Sequence, residues 1–365
     1  MKLSKPVFLK QKNMINVLYA LIPATLCGIY FFGWRVLGVL ATASVFGFLT
    51  EWIMQSRKNT GKVSYAVFVS SILYGLSLPP TVPLWICAVG IVVAILFGKE
   101  VFGGFGKNVF NPAIVGRAFV YVSFPVELTG KFVPVFSGFP GGFMHWSFHT
   151  LKALPANLSS KGLEVADALS AATPMWTRRD FGFTTDLINL ITGSIGQVFT
   201  FNGESKILTA GSIGEVSAVA LIIGAVYLFA TKTALFRLTL ATIIGALGLN
   251  VLLLYVFNIQ DVPPPQFSFF SGGLLFCSIF MVTDPVSAPK VKLSQWIYGV
   301  FIGVMIVFFR YKSVFAGGVG FAVLLGNTIA PSLDLWIKRF QNRKKESPGR
   351  KTIQQRPVIQ PEVKS

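Results

Sequence analysis

The stretch Met14-Ile15-Asn16-Val17-Leu18-Tyr19-Ala20-Leu21-Ile22-Pro23-Ala24-Thr25-Leu26-Cys27-Gly28-Ile29-Tyr30-Phe31-Phe32 contains no Asp, Glu, Lys or Arg, with Lys10 and Lys12 before it and Arg35 after it. About 20 apolar residues are what a helix needs to cross a bilayer. The same pattern returns at 35–54, 63–79, 82–98, 110–125, 212–230, 235–257, 267–283, 293–309 and 314–333, so the reading is an all-α, polytopic membrane protein of about ten transmembrane helices. The chain has 365 residues, 53% of them hydrophobic and only 13% charged, which excludes a secreted disulfide scaffold, a disordered chain and a free-standing Rossmann enzyme. Its net charge of +18 would suggest nucleic acid in a soluble protein, but here the basic residues sit between apolar runs, where they report topology.

Lys2, Lys5, Lys10 and Lys12 precede the first run, and Lys338, Arg339, Arg343, Lys344, Lys345, Arg350 and Lys351 follow the last. Both termini are therefore expected in the cytoplasm, which requires an even number of crossings. Arg57, Lys58 and Lys62, then Lys99 and Lys107, then Lys232 and Arg237, then Lys290 and Lys292 all fall on the expected inside. Arg35, Arg310 and Lys312 fall outside, against the rule. No Ala-x-Ala cleavage site follows the first run, so it reads as an uncleaved anchor. Residues 1–125 form a first transmembrane half, 126–211 an outer loop region, 212–337 a second half and 338–365 a basic cytoplasmic tail. The stretch 187–200, broken by Gly193 and Gly196, reads as a re-entrant or surface helix. In the outer loop, Trp146, Trp176, Phe181 and Phe183 can lie against a planar ring or form an interfacial belt.

Cys27, Cys87 and Cys277 stand singly in apolar runs, without a CxxC, so they build neither a zinc site nor an iron–sulfur cluster. His145 and His149 have metal-ligand spacing but no acidic partner, and read equally as solvated loop residues. Three motifs carry more. Asp167-Ala-Leu-Ser170-Ala171-Ala172-Thr173-Pro174 puts a hydroxyl among small side chains on a loop, either an ordinary turn or a site open to covalent modification. Gly103-Gly104-Phe105-Gly106-Lys107-Asn108-Val109-Phe110-Asn111-Pro112-Ala113 with Arg117 lacks the first Gly and the Ser/Thr of a P-loop. It suits instead a polar ligand held at membrane depth, paired structural burial of Arg117 being the alternative. Gly272-Gly273 leads to Thr283-Asp284-Pro285, where a proline frees carbonyls beside an acid that serves either a small cation or a helix end.

Together these motifs resemble the family shared by a membrane subunit of the bacterial sodium-translocating NADH:quinone reductases and its homologue in the Rnf electron transport complexes. The likeness covers nearly the whole chain. It includes Leu78-Pro79-Pro80-Thr81, Lys99-Glu100-Val101-Phe102-Gly103-Gly104, Gly211-Ser212-Ile213-Gly214-Glu215-Val216-Ser217, Trp296-Ile297-Tyr298-Gly299, and Asn327 with Ala330-Pro331 and Asp334. The run from Asn111 through Gly116-Arg117-Ala118-Phe119 to Pro125 and Gly130 leans towards the quinone reductase. Ala171 stands where the attachment signature usually has glycine, the soluble region before the first run is short, and the loop before Thr173 is long.

The resemblance implies two similar five-helix halves and a place in the bacterial inner membrane. It further implies FMN joined by a phosphoester to Thr173, with Asp167, Ser170 and Ala172 as the signature that a flavin transferase reads, and Arg178 and Arg179 near enough to balance the phosphate. A non-covalent riboflavin is expected at Asn108, Asn111 and Arg117, a quinone near Gly47 and Glu51, and a Na+ pathway through Glu51, Asp284 and Asp334. The implied activity is that of one member of a six-subunit translocase, passing electrons from the FMN of a flavinylated partner through its own flavins to quinone. NADH oxidation belongs to a separate partner flavoprotein, because this chain has no dinucleotide fingerprint, and no nucleic acid is involved. A membrane subunit of an Rnf ferredoxin:NAD oxidoreductase is the alternative, and a flavin-free channel or secondary transporter a second one.

Overall fold

The computed structural model describes residues 5–147, 173–196, 198–201, 204–312 and 318–346. Helix occupies every one of the apolar runs: α1 Lys12–Phe32, α2 Arg35–Arg57, α3 Ala66–Leu76, α4 Leu84–Ile95 and α5 Pro112–Ser123. After two short helices, α6 Pro174–Phe181 and α7 Leu187–Thr192, come α8 Ala218–Ala230, α9 Phe236–Val251, α10 Pro265–Phe270, α11 Leu274–Phe276, α12 Lys292–Lys312 and α13 Val319–Glu346. Five segments are long and apolar enough to cross a membrane: Lys12–Phe32, Arg35–Arg57, Phe236–Val256, Lys292–Lys312 and Val319–Arg343. The chain is an all-α multi-pass membrane protein. The helices α2, α4 and α5 pack in the order in which α9, α12 and α13 pack later in the chain.

Small residues set how closely these helices approach. A Cβ at Gly303 of α12 would lie 2.1 Å from the Thr242 carbonyl of α9, and one at Gly245 of α9 would lie 2.3 Å from the Val300 carbonyl. Both obstructions are backbone, so no side chain can turn away to make room. Gly303→Ala is therefore expected to cost at least about 1–3 kcal/mol, read as a lower thermal midpoint in detergent.

Helix breaks at two places that leave carbonyls exposed, one between two apolar runs and one inside a run. Between α3 and α4 the run Leu78-Pro79-Pro80 stops helical hydrogen bonding, and between α10 and α11 the chain turns at Ser271, Gly272 (φ +63°) and Gly273. A carbonyl freed inside the bilayer needs a donor. Arg35 donates to Pro80 O at 2.6 Å and Val82 O at 2.9 Å, while Arg310, buried to 2% exposure, donates to Ser268 O and Ser271 O, both at 2.9 Å. These are two of the three charges that violate the topology rule, and their place is explained by the carbonyls they cap. Lys312 remains exposed.

A short strand pair ties the start of the chain to the segment before α3: β1 Val7–Leu9 and β2 Lys62–Ser64 run parallel, with Leu9 opposite Ser64. The sequence reading of 187–200 as helix holds only to Thr192, where Gly193 (φ +97°) ends α7. Val198–Phe201, rich in β-branched and aromatic residues, instead pairs antiparallel with Glu204–Leu208 as strands β3 and β4.

Candidate functional site

Two cavities meet opposite parts of α5. Asn111 caps its N-terminus, Asn111 Oδ1 accepting from Ala113 N at 3.0 Å, and Arg117 follows six residues later, about 9 Å along the axis.

The first cavity, about 250 Å3, is lined by Thr173, Trp176 and Arg179, by Arg117 and Tyr121 of α5, by Arg310, and by Glu215 with Gly272 and Gly273. Thr173 takes the N-cap position of α6, its hydroxyl oxygen accepting from Trp176 N at 3.4 Å, and Pro174 supplies the fixed φ of the first helical turn. An anion bonded to this oxygen would sit at a helix N-terminus, where the backbone N–H groups and the dipole favour negative charge. The half-buried Arg117 guanidinium forms no hydrogen bond or ion pair among the described residues. Three arginines against one glutamate leave the lining net positive, and Leu128, Phe132 and Met175 add apolar surface.

The second cavity, about 60 Å3, lies at the other end of α5, between Asn108, Asn111, Phe105 and Lys99 on one stretch of chain and Phe280, Thr283 and Asp284 on another. The glycines of its loop, Gly103, Gly104 and Gly106, take φ values of +110°, +95° and +83°, which side chains rarely adopt. Asn108 Nδ2 donates to Phe110 O at 3.0 Å. Asn111 is committed to the fold: besides its cap, its Nδ2 donates to Met281 O at 3.3 Å, and Asn327 Oδ1 accepts from its N–H at 3.1 Å. Asp284, just beyond the π-turn Cys277–Met281 that continues α11, accepts from Val286 N at 3.1 Å and from the Ser287 hydroxyl at 2.8 Å. Burial pushes its carboxyl above the usual carboxylate range, against those hydrogen bonds and the charge of Lys290.

This geometry sits on a chain whose match to the NQR2, RnfD, RnfE family spans residues 8–342. The chain belongs to that family. A similar protein, the Na(+)-translocating NADH-quinone reductase subunit of Azotobacter vinelandii, is 33% identical over 300 residues, which is 81% of this chain and 65% of that protein. The corresponding subunit of Ectopseudomonas mendocina is 33% identical over 306 residues, 82% of this chain and 66% of its own length. The chain thus spans somewhat less than two thirds of these relatives. An ion-translocating oxidoreductase complex subunit from Actinobacillus succinogenes is 29% identical over 355 residues, covering 90% of this chain and 93% of that one.

The structure separates residues that the sequence reading had grouped. Arg117 opens to the cavity at Thr173, whereas Asn108 and Asn111 line the other. Gly47 and Glu51 line neither: a Cβ at Gly47 would lie 2.4 Å from Ser71 Oγ of α3, and Glu51 is 1% exposed. Asp334 accepts from the Lys290 and Val291 amides at 2.7 and 3.2 Å, clamping the turn that carries Asp284. Of the two arginines after Thr173, Arg179 faces the cavity and Arg178 lies over the Phe267 ring, 5.8 Å from its centroid. His145 stacks on Phe136 at 4.8 Å. His149, Asp167, Ser170 and Ala172 lie outside the described residues.

What the sequence reading missed is a buried ion pair. Lys99 Nζ lies 2.6 Å from Glu51 Oε2 and 2.5 Å from Ser64 Oγ, while Glu51 Oε1 accepts from Ser64 N and its hydroxyl at 3.0 and 2.8 Å. Residues Leu96–Glu100 extend α4 as a π-turn, which brings Lys99 and its neighbour Glu100 both inward. Glu100 accepts from Gln55 Nε2 at 2.8 Å and Lys58 Nζ at 2.9 Å. The one signal in the sequence was a Lys-Glu pair directly ending an apolar run.

Proposed function

We propose that this chain is the membrane subunit of a redox-driven sodium pump of the bacterial inner membrane, with ten crossings in two similar halves. In this reading electrons pass from a partner's FMN through an FMN esterified to Thr173, then a riboflavin bound near Asn108, to quinone, with Na+ moved in step. The observation that carries it is the first cavity: a helix-capping threonine hydroxyl opens onto a net-positive lining that includes Arg117, unpaired among the described residues. These residues fit a phosphoester-linked flavin. The N–H groups of α6, Arg179 and Arg117 offset the phosphate charge, and Trp176, Phe132 and Met175 give a planar ring an apolar wall. A bound flavin supplies one-electron chemistry that no side chain here can perform. Asn108 suits an uncharged flavin, which needs amide-type partners in place of phosphate-binding cations, while Asn111 fixes the end of α5 beside it.

The test is the fluorescence of the denatured polypeptide in a gel under ultraviolet light, after co-expression with a flavin transferase. The parent is expected to fluoresce and Thr173→Ala to stay dark. A parent that is dark as well removes the flavin reading and leaves a channel or transporter. A second reading, the Rnf membrane subunit, is favoured by the relative matched along 93% of its length. Co-purification of a cluster-bearing ferredoxin-like subunit would decide for it, and of an NADH-oxidising flavoprotein against it.

A further inference from the structure

The helix α13 is longer than a membrane needs. Its 28 residues rise about 42 Å against a hydrocarbon core of about 30 Å, so about 20 residues counted from Val319 reach the polar boundary near Lys338. The turns at that level carry charge of one sign. Between Asp334 and Glu346 the sequence holds Lys338, Arg339, Arg343, Lys344 and Lys345 and no acid. Leu333 and Ile337 turn inward, at 8% and 7% exposure, while Trp336, Arg339, Phe340 and Arg343 are exposed. Steps of three and four residues put these last side chains on one face, aromatic rings alternating with guanidinium groups. Among the described residues Lys338, Arg339 and Arg343 make no hydrogen bond or ion pair. The nearest acid in sequence, Asp334, is taken up by the Lys290 and Val291 amides, which also brings the exposed Lys292, first residue of α12, to the same end.

We propose that this face binds anionic phospholipid in the leaflet into which α13 emerges. Two features favour lipid over an acidic protein surface. Trp336 precedes the charges, at the depth where tryptophan rings settle between hydrocarbon and headgroups, and the arginine stems can run along that apolar surface while their guanidinium groups meet phosphate. The charge is also complementary. Each Lys or Arg at the surface adds to the attraction of a negative leaflet, and no carboxylate among the described residues competes for Lys338, Arg339 or Arg343. A guanidinium presents paired N–H donors that match phosphate oxygens, so the site selects a phosphodiester headgroup of net negative charge, of which phosphatidylglycerol is a simple example.

The experiment uses the purified protein with whatever subunits accompany it, stripped of lipid in a nonionic detergent and titrated with phosphatidylglycerol or phosphatidylcholine bearing brominated tails. Bromine quenches tryptophan fluorescence on contact, and the part of the quenching that is lost in Trp336→Phe reports this face. Phosphatidylglycerol is expected to produce that part at far lower concentration than phosphatidylcholine. Lys338→Gln combined with Arg339→Gln and Arg343→Gln is expected to weaken phosphatidylglycerol roughly a hundredfold and to leave phosphatidylcholine unchanged. High salt is expected to erase the preference of the parent, and serves by itself if the triple variant does not assemble. Equal quenching by the two lipids, or none, overturns the inference. So does a phosphatidylglycerol titration that neither the triple substitution nor salt displaces. Loss of an accompanying subunit from the triple variant at unchanged lipid preference overturns it as well, and assigns the face to a protein contact.

Discussion

Lys99→Met, made alone, is expected to destabilise the chain by about 3–5 kcal/mol, the usual cost of removing one partner of a buried ion pair. The reason is the group left behind. Glu51 is 1% exposed, and without the ammonium at 2.6 Å its Oε2 loses its charged partner, while Oε1 keeps only the amide and hydroxyl of Ser64. Combining Lys99→Met with Glu51→Gln is expected to recover most of the loss, since an uncharged amide costs far less to bury than a lone carboxylate. Thermal unfolding of the parent, both single variants and the double variant in one detergent gives the coupling energy. Additive single effects would show that the two side chains do not interact as the distances require.

Arg310→Ala is the second large effect. Its guanidinium gives one nitrogen to Ser268 O and the other to Ser271 O, the two carbonyls at the interruption between α10 and α11. Without the fork, two buried acceptors go unsatisfied at about 1–3 kcal/mol each. The rim of the Thr173 cavity also loses the support of Gly272 and Gly273. Arg310→Lys is expected to rescue only part of the stability, because a single ammonium cannot reproduce the planar two-point geometry. Equal melting temperatures for Arg310→Lys and the parent would show that the charge, and not the fork, is what the interruption needs. Arg35 makes the same kind of contact at Pro80 and Val82, so Arg35→Ala tests the principle at the other interruption.

The five long spans were legible because lipid imposes a length and a composition that single residues cannot disguise. Of the interruptions, only the one at Pro79-Pro80 was legible, as the gap between the runs 63–79 and 82–98; Gly272-Gly273 lay inside what read as one run, 267–283. The charges that service those interruptions were not legible. Counting Arg35 and Arg310 as topology votes treats them as solvated, and nothing local reveals that their partners lie 45 to 47 and 39 to 42 residues away. Lys99 was misread in the same way, as an inside-loop cation, because its partner is 48 residues distant. Thr173 stood out through the order of small residues around it, whereas its position as the first cap of α6, on a cavity shared with Arg117, depends on folding. The separation of Asn108 and Asn111 from Arg117 follows from the rise of α5, which turns residues six apart towards different ends of the helix.

The strand Val7–Leu9 is short, yet it lies beside Lys62–Ser64, and Ser64 is the residue whose hydroxyl and amide hold Glu51 opposite Lys99. A tag or fusion placed directly ahead of Val7 would therefore tug on the hydroxyl that anchors a charge deep in the bundle. Preparations meant for redox measurements are better left without an extension at that strand.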